Sequence, residues 1–453
     1  MKKQFLIFLS AIVFVVLFYE QEIGLNLSLF SLFLLVISFV QKKELLKDKR
    51  AILLASGTIV SAVSNAWLFS FTTFLATIST LFVFRYYVVD SRLKLVTQVV
   101  LFFSNCVLFI PQVFKIEQWL EVKKGGSHQM FLKLFSYFIL PIAIVLVFTI
   151  IYISSSDWLY DWYMRYELDI NGYIIFVFML GFYLSFVFWQ DRVYPFIKAN
   201  DQKLNSNFSN AKRNDESNTN HLFPDHYKLM SGTITIFALN ALLFFFIVIF
   251  NMEHLTNEQR NMEWFSEHIH EQIYLIIVSI FLAMMVILYF FSGKLNFIEK
   301  NNKLIVATKS WIALNGLLLL SAFYQNTLYV AHLGLTYKRL GVYLFLITCL
   351  AGLWFCYQKV HHKKTNFYLI DNMSWTIYIV LVFCSLFNWS SIITKYNLTK
   401  KTVDYSYLEY LVGNEKYLIQ HYQSIHKAIP SHIYYKLQYE KNQKLFSSQL
   451  YYK

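Results

Sequence analysis

Charge is scarce in this sequence. Only 15% of its 453 residues are Asp, Glu, Lys or Arg, against about 25% in an ordinary soluble domain. The charges sit in short blocks between long apolar runs, the segregation a lipid interior imposes. Proline and glycine are few, five and thirteen residues, so long helices run with little interruption. The four cysteines, Cys106, Cys349, Cys356 and Cys384, all lie in apolar runs and form no CxxC pair. That argues against a disulfide framework or a cysteine zinc site. The apolar runs are continuous rather than alternating, which argues against a spanning β-barrel. No ionisable residue falls at the centre of a clear apolar run, which weighs against a proton-coupled pump. No P-loop, dinucleotide fingerprint or Ser-His-Asp set occurs in a supporting context. The sequence therefore leans away from an enzyme and predicts no cofactor and no bound metal.

What is present is apolar: 57% hydrophobic and 19% aromatic residues. The expected fold is all-α, a polytopic transmembrane helical bundle of about 12 spans. These fall near 5–19, 25–40, 51–64, 68–85, 95–114, 134–153, 172–190, 232–250, 272–291, 310–330, 341–357 and 372–393. Residues 51–87 read as two short helices turning at Ser64 and Asn65, or as one long tilted helix. Lys2 and Lys3 precede the first run, and Glu20, Gln21 and Glu22 follow it where a signal peptide would need small residues. A retained first span is expected. The chain divides into N-terminal membrane helices (1–190), a flexible polar cytoplasmic loop (191–228), C-terminal membrane helices (229–393) and a short exposed Tyr/Lys-rich helical tail (394–453). In the tail Leu408, Leu411 and Leu418 recur at helical spacing, with Asp404 as an N-cap.

The formal net charge of +13 points to cytoplasmic basic loops against anionic lipid headgroups, not to nucleic acid. The block 41–50, loop 293–309 and stretch 358–370 are basic and assigned inside. Loop 154–171, with Asp157 and Asp161, and segment 251–271, with five glutamates, are assigned outside. One loop conflicts with this alternation. Lys115, Lys123, Lys124 and Lys133 place 115–133 inside, yet three crossings after 41–50 put it outside. Either 51–87 crosses once or one loop breaks the rule.

Four constellations are candidates for chemistry. On a helix Glu263, Glu267, His270 and Glu271 share a face, able to hold a divalent metal or relay protons. A solvated acidic face is the stronger reading, and the HExxH spacing is absent. His361 and His362, with Lys359, Lys363 and Lys364, suit an anchor to anionic headgroups. Gln98, Asn105, Asn240, Asn315, Gln325 and Asn326 lie in apolar runs and must find partners there. They read as interhelical hydrogen bonds, or as a substrate path. Asp157 and Asp161, one helical turn apart among aromatics, read as an acid-capped aromatic belt or as a carboxylate pair acting on lipid or glycan headgroups. Gly57, Ser61 and Asn65, four residues apart, suit close helix packing.

GLTYKRLGV (334–342), the apolar span after it and FNWSSIITKYN (387–397) resemble a bacterial, Bacteroidetes-type family of multi-pass inner-membrane proteins of unknown function. SSSDWLYDWYMRYELDING (residues 154–172) supports the resemblance. It implies location in the inner membrane and assigns no catalytic residue. In the hairpin itself, Gly334 can take positive φ and end one helix, and Thr336 can cap the next. Lys338 and Arg339 then sit near a helix N-terminus, where the dipole disfavours cations, and on the outer side, against the positive-inside bias. Two unfavourable placements point to an anionic partner, Asp157, Asp161, Glu267 or a lipid phosphate; the alternative is that the pair simply meets solvent or headgroups. The expected function is a non-enzymatic membrane sensor or assembly component with membrane-protein partners. The alternatives are a transporter with a midplane cavity lined by Asn240, Asn315 or Asn326, and an enzyme acting on lipid or glycan headgroups.

Overall fold

A computed structural model describes residues 2–115, 137, 140–159, 161, 172–190, 192–208, 225–256, 262–291 and 301–453. The helices are α1 (Lys3–Phe18), α2 (Leu25–Gln41), α3 (Lys49–Trp67), α4 (Phe71–Val89), α5 (Leu95–Val107), α6 (Phe109–Val113), α7 (Leu140–Ser155), α8 (Gly172–Gln190) and α9 (Pro195–Lys203). They continue with α10 (Asp225–Thr256), α11 (Met262–Phe290), α12 (Asn302–Leu333), α13 (Tyr337–His361), α14 (Asn366–Ser385) and α15 (Trp389–Asn397). The tail adds α16 (Tyr405–Tyr410), α17 (Glu415–Ser424) and α18 (Ser431–Lys441). No strand occurs among the described residues.

Local chemistry sets many of the boundaries. Asp48 caps α3, accepting from the amides of Arg50 (2.9 Å) and Ala51 (3.4 Å). Ser70 and Thr73 form a reciprocal capping box at α4, which satisfies orphan amides at its start. The two caps settle residues 51–87 as two helices. The chain turns at 68–70, later than Ser64 and Asn65, because Asn65 is committed to the interior. Its Nδ2 donates to the Gly24 carbonyl (3.2 Å) and Ser28 Oγ (3.0 Å). Asp404 caps α16 as expected, accepting from the Tyr407 amide (3.1 Å).

Each apolar segment read from the sequence lies largely on helix where its residues are described. The number of crossings does not follow from that. Six helices among the described residues are long and apolar enough to cross a membrane: α4, α8, α10, α12, α13 and α14. Helices α1, α2 and α5 have 16, 17 and 13 residues, short of the ~20 that cross untilted. Helix α3 has 19 but begins with Lys49 and Arg50 and carries three serines.

The helix ends gather into two groups. At one, Lys42 Nζ donates to the Val88 carbonyl (2.7 Å), Lys198 pairs with Asp90 (2.6 Å), and the Thr365 amide donates to the Ser206 carbonyl (3.1 Å). Lys359 Nζ donates to the Phe291 carbonyl (2.6 Å). The described parts of stretches 41–50, 191–228 and 358–370, all assigned inside by charge, thus share this basic end. Lys359 is fully buried, so it closes the end of α11 and does not reach for headgroups as expected. At the other end the tail packs on loops 19–26, 66–71, 330–337 and 385–391.

Helix α5, expected as part of a crossing, does not run the length of the bundle. Its 13 residues reach only about 20 Å, and the chain breaks at Leu108 before α6. Both of its ends bond to the same short stretch. Thr97 Oγ1 donates to Asp201 (2.5 Å) and Lys94 Nζ to the Asp201 carbonyl (2.7 Å). Asn105 Nδ2 donates to the Arg192 carbonyl (3.1 Å), and Gln112 Nε2 to Tyr194 Oη (2.5 Å). Residues 95–114 therefore start and finish at the basic end, and of the helices between 41–50 and Lys115 only α3 and α4 run from one end of the bundle to the other. In a cysteine-free background, Lys115→Cys and Lys203→Cys will react with an impermeant thiol reagent from the same side of the membrane, and Tyr410→Cys from the opposite side. Labelling of position 115 together with 410 would mean that α5 crosses.

Candidate functional site at the tail end

The tail folds around Leu408, Leu411, Leu418, Tyr422 and Ile433, which bury against Val330 of α12, Leu335 in the turn before α13 and Ile393 of α15. Its centre is Glu415, 1% exposed. The Glu415 carboxylate accepts from the Gly413 amide (3.2 and 3.1 Å) and Tyr452 Oη (2.9 Å), and pairs with Lys436 (3.3 Å). A buried carboxylate needs this full set of partners. Gly413 has φ +88°, and a Cβ there would press on the Leu68 side chain. Its carbonyl accepts from Asn388 Nδ2 (2.8 Å) and Ser391 Oγ (2.9 Å). The loop 411–414 is thus fixed from both sides.

Beside that loop lies a cavity of about 1010 Å³. One wall is the ends of α3 and α4, with Trp67, Phe69 and Phe71; a second is the end of α14 and start of α15, with Phe387 and Trp389. The third is the tail, with Tyr410, Val412, Glu440 and Gln449, joined by Glu22 from the loop before α2. Glu22 accepts from Tyr439 Oη (2.5 Å), beside Glu440 in sequence. Glu440 accepts from Gln449 Nε2 (3.1 Å), whose Oε1 accepts from the Phe69 amide (3.0 Å). Burial, with Glu415 and Glu22 nearby, raises the Glu440 carboxyl above its ordinary pKa. Aromatic faces around a few placed polar groups are the usual make-up of a small-molecule site.

The hairpin 334–342 adjoins this site. Gly334 has φ +82° and ends α12, and Thr336 caps α13 by accepting from the Arg339 amide (3.4 Å). Arg339 is 9% exposed. Its Nη1 donates to the carbonyls of Leu333 (2.8 Å) and Gly334 (2.5 Å), and its guanidinium lies 4.0 Å from the centre of the Tyr329 ring. The negative pole it faces is the C-terminal end of α12, which offsets its unfavourable place at the start of α13. Asn397 completes the clasp: Oδ1 accepts from the Leu335 amide (2.6 Å) and Nδ2 donates to the Leu335 carbonyl (2.8 Å). The two stretches that carried the family resemblance, 334–342 and 387–397, are therefore joined in space. The second also supplies a cavity wall.

The other expected site residues are dispersed. Lys338 is exposed, as are Asp157 and Asp161 beyond α7, and none of the three bonds to Arg339 in the described residues. Glu263, Glu267, His270 and Glu271 lie on α11, but their side chains fall outside the described residues. Asn240 Nδ2 joins its own helix to α12 through the carbonyls of Ile236 (2.8 Å) and Ala307 (2.9 Å). Asn315 Nδ2 bonds within α12, to the Trp311 carbonyl (2.8 Å). Asn326 Nδ2 donates to the Arg339 carbonyl (3.1 Å), and Gln325 is buried beside it. None of the four lines the cavity at the tail end. Sequence reading missed Glu22, Trp67, Phe71, Tyr410, Glu440 and Gln449. The available signal was the Glu20–Glu22 acidic pair and the aromatic excess near 387–410.

Residues 49–418 match the family model described as a domain of unknown function (DUF4153), and the chain belongs to that family. No curated protein and no solved structure matches it. The matched residues include the whole clasp and the walls from α3, α4, α14 and α15. Glu22, Glu440 and Gln449 lie outside them.

The clasp gives a direct test. Arg339→Gln removes charge-assisted bonds at a buried helix end and will lower the unfolding free energy in detergent by about 2–3 kcal/mol. Lys338→Ala, one residue earlier, will change it by less than about 0.5 kcal/mol. Equal effects at both positions would mean that Arg339 is not the closing group.

Proposed function

We propose that this chain is a multi-pass protein of a bacterial inner membrane that holds an extracytoplasmic ligand at its tail end, as a non-enzymatic sensor or assembly component. In this reading the basic end faces the cytoplasm and anionic headgroups, in line with the positive-inside bias. The crossings are then α1 to α4, α7, α8 and α10 to α14. The acidic segments 154–171 and 251–271 fall outside, on the side of the tail.

The observation that carries the reading is how the cavity is walled. Its surface belongs jointly to the ends of α3, α4 and α14 and to the tail. An occupant touches all of them at once. Its binding energy therefore depends on the spacing of the helix ends, which is the coupling a sensor needs. A transporter reading is less well supported, because Asn240, Asn315 and Asn326 commit their Nδ2 groups to backbone carbonyls and none of the three lines the tail-end cavity.

The test is gentle extraction of the full chain from native membranes followed by native mass spectrometry. The expected result is wild-type chain carrying a small-molecule adduct or a membrane-protein partner. A Val412→Trp variant, with added bulk on the cavity wall, will lose the adduct while keeping its melting temperature. Bare monomer for both would overturn the reading.

A further inference from the structure

The tail-end cavity runs against the charge of the rest of the chain. The formal net charge is +13, and residues 394–453 carry nine lysines against four carboxylates. Yet the cavity lining holds Glu22 and Glu440 and no Lys, Arg or His. Three lysines of the tail are engaged by backbone carbonyls. Lys416 Nζ donates to the Tyr451 carbonyl (2.5 Å), Lys436 to the Leu411 carbonyl (2.6 Å) and Lys444 to the Glu20 carbonyl (3.2 Å). The two carboxylates thus line the cavity without a cation from its own wall, and the donors that reach Glu22, Tyr439 Oη (2.5 Å) and Gln443 Nε2 (3.4 Å), are neutral.

The opposite wall is apolar and open. Trp67, Phe71, Leu386 and Phe387 are 53%, 74%, 50% and 41% exposed at the ends of membrane helices. An aromatic wall beside carboxylates favours an organic cation, through ring faces and charge together. Apolar surface continuing along the helix ends favours a chain attached to it. We infer that the cavity binds an amphiphilic amine, its ammonium head toward Glu22 and Glu440 and its alkyl chain along Trp67, Phe71 and Phe387. The inference rests on the reading of this cavity as a ligand site. Both carboxylates lie outside the residues that match the family model.

The experiment titrates the full chain in lauryl maltoside with dodecylammonium and with dodecanol, read by tryptophan emission. Dodecylammonium will bind at least about tenfold more tightly than dodecanol, and Glu22→Gln with Glu440→Gln will abolish the difference. The wild-type comparison stands alone if the double variant melts early. Dioctanoyl phosphatidylethanolamine separates the two sources of such a head. Binding as tight as dodecylammonium assigns a phospholipid, and binding at least tenfold weaker assigns a free amine. Equal affinities for dodecylammonium and dodecanol, with both weakened by Val412→Trp, overturn the ligand class and leave the site. No saturable binding of any of the three overturns the site as well.

Discussion

The structure depends on how its helices stop. The last four carbonyls of a helix have no partner within it, and where neighbouring elements bury them no water reaches them to supply one. Here neighbouring cations do so. Lys42 reaches the Val88 carbonyl at the end of α4 (2.7 Å), and Arg85 Nε the Phe188 carbonyl near the end of α8 (3.1 Å). Lys359 reaches the Phe291 carbonyl after α11 (2.6 Å). Arg339 and Lys400 share the end of α12, the latter through the Ala331 carbonyl (3.0 Å). Each places positive charge at the negative pole of a helix. With so few charges in the chain, one side chain both satisfies an orphan carbonyl and fixes two helices against each other.

That arrangement changes how polar residues in apolar surroundings should be weighed. A buried Lys or Arg suggests a counter-ion or an ion path, and Lys359 and Arg339 are buried enough to invite that reading. Their partners are backbone carbonyls, so they belong to the framework. The carboxylates of the cavity differ. Glu415 has its full set of donors and holds the tail together. Glu440 accepts from Gln449 and lines the cavity. The same residue type is structural in one place and available for a ligand in the other, and the difference is the number of donors that reach it.

Features set within about four residues were legible in the sequence. Asp404, Gly334 and Thr336 act as the caps and helix end their spacing predicts. The described parts of the twelve apolar runs are largely helical for the same reason, since hydropathy and an absence of breakers are local properties. Direction was not legible. The run 95–114 is apolar enough to suggest a crossing, yet it returns to the end it left because Arg192, Tyr194 and Asp201 bond to both ends of it. Those partners lie about a hundred residues on. The partner of Arg339 was missed although it is only five and six residues away, because the placement rules weighed the dipole of its own helix and not that of the one before. The cavity was wholly illegible: Glu22 and Ser447, which bond at 2.8 Å, are 425 residues apart.

The C-terminal segment shows why such a site is sensitive to helix spacing. Leu25 and Asn26 at the start of α2 donate to the carbonyls of Ser448 (3.1 Å) and Phe446 (2.9 Å). The amides of Leu450 (2.9 Å) and Tyr451 (2.8 Å) donate to the carbonyls of Ala66 and Trp67 at the end of α3. One short stretch of backbone thus satisfies orphan amides of one helix and orphan carbonyls of another. Gly24 leaves no room for a Cβ against Ser447, so the fit is close as well as directional. Hydrogen bonds weaken steeply as their length and angle depart from the optimum. If the ends of α2 and α3 separated by an ångström, the segment could not keep all four. Gln449, which bonds to both Phe69 and Glu440, lies between these contacts. A change in helix spacing would therefore move a wall of the cavity, and an occupant bound to that wall would resist the change.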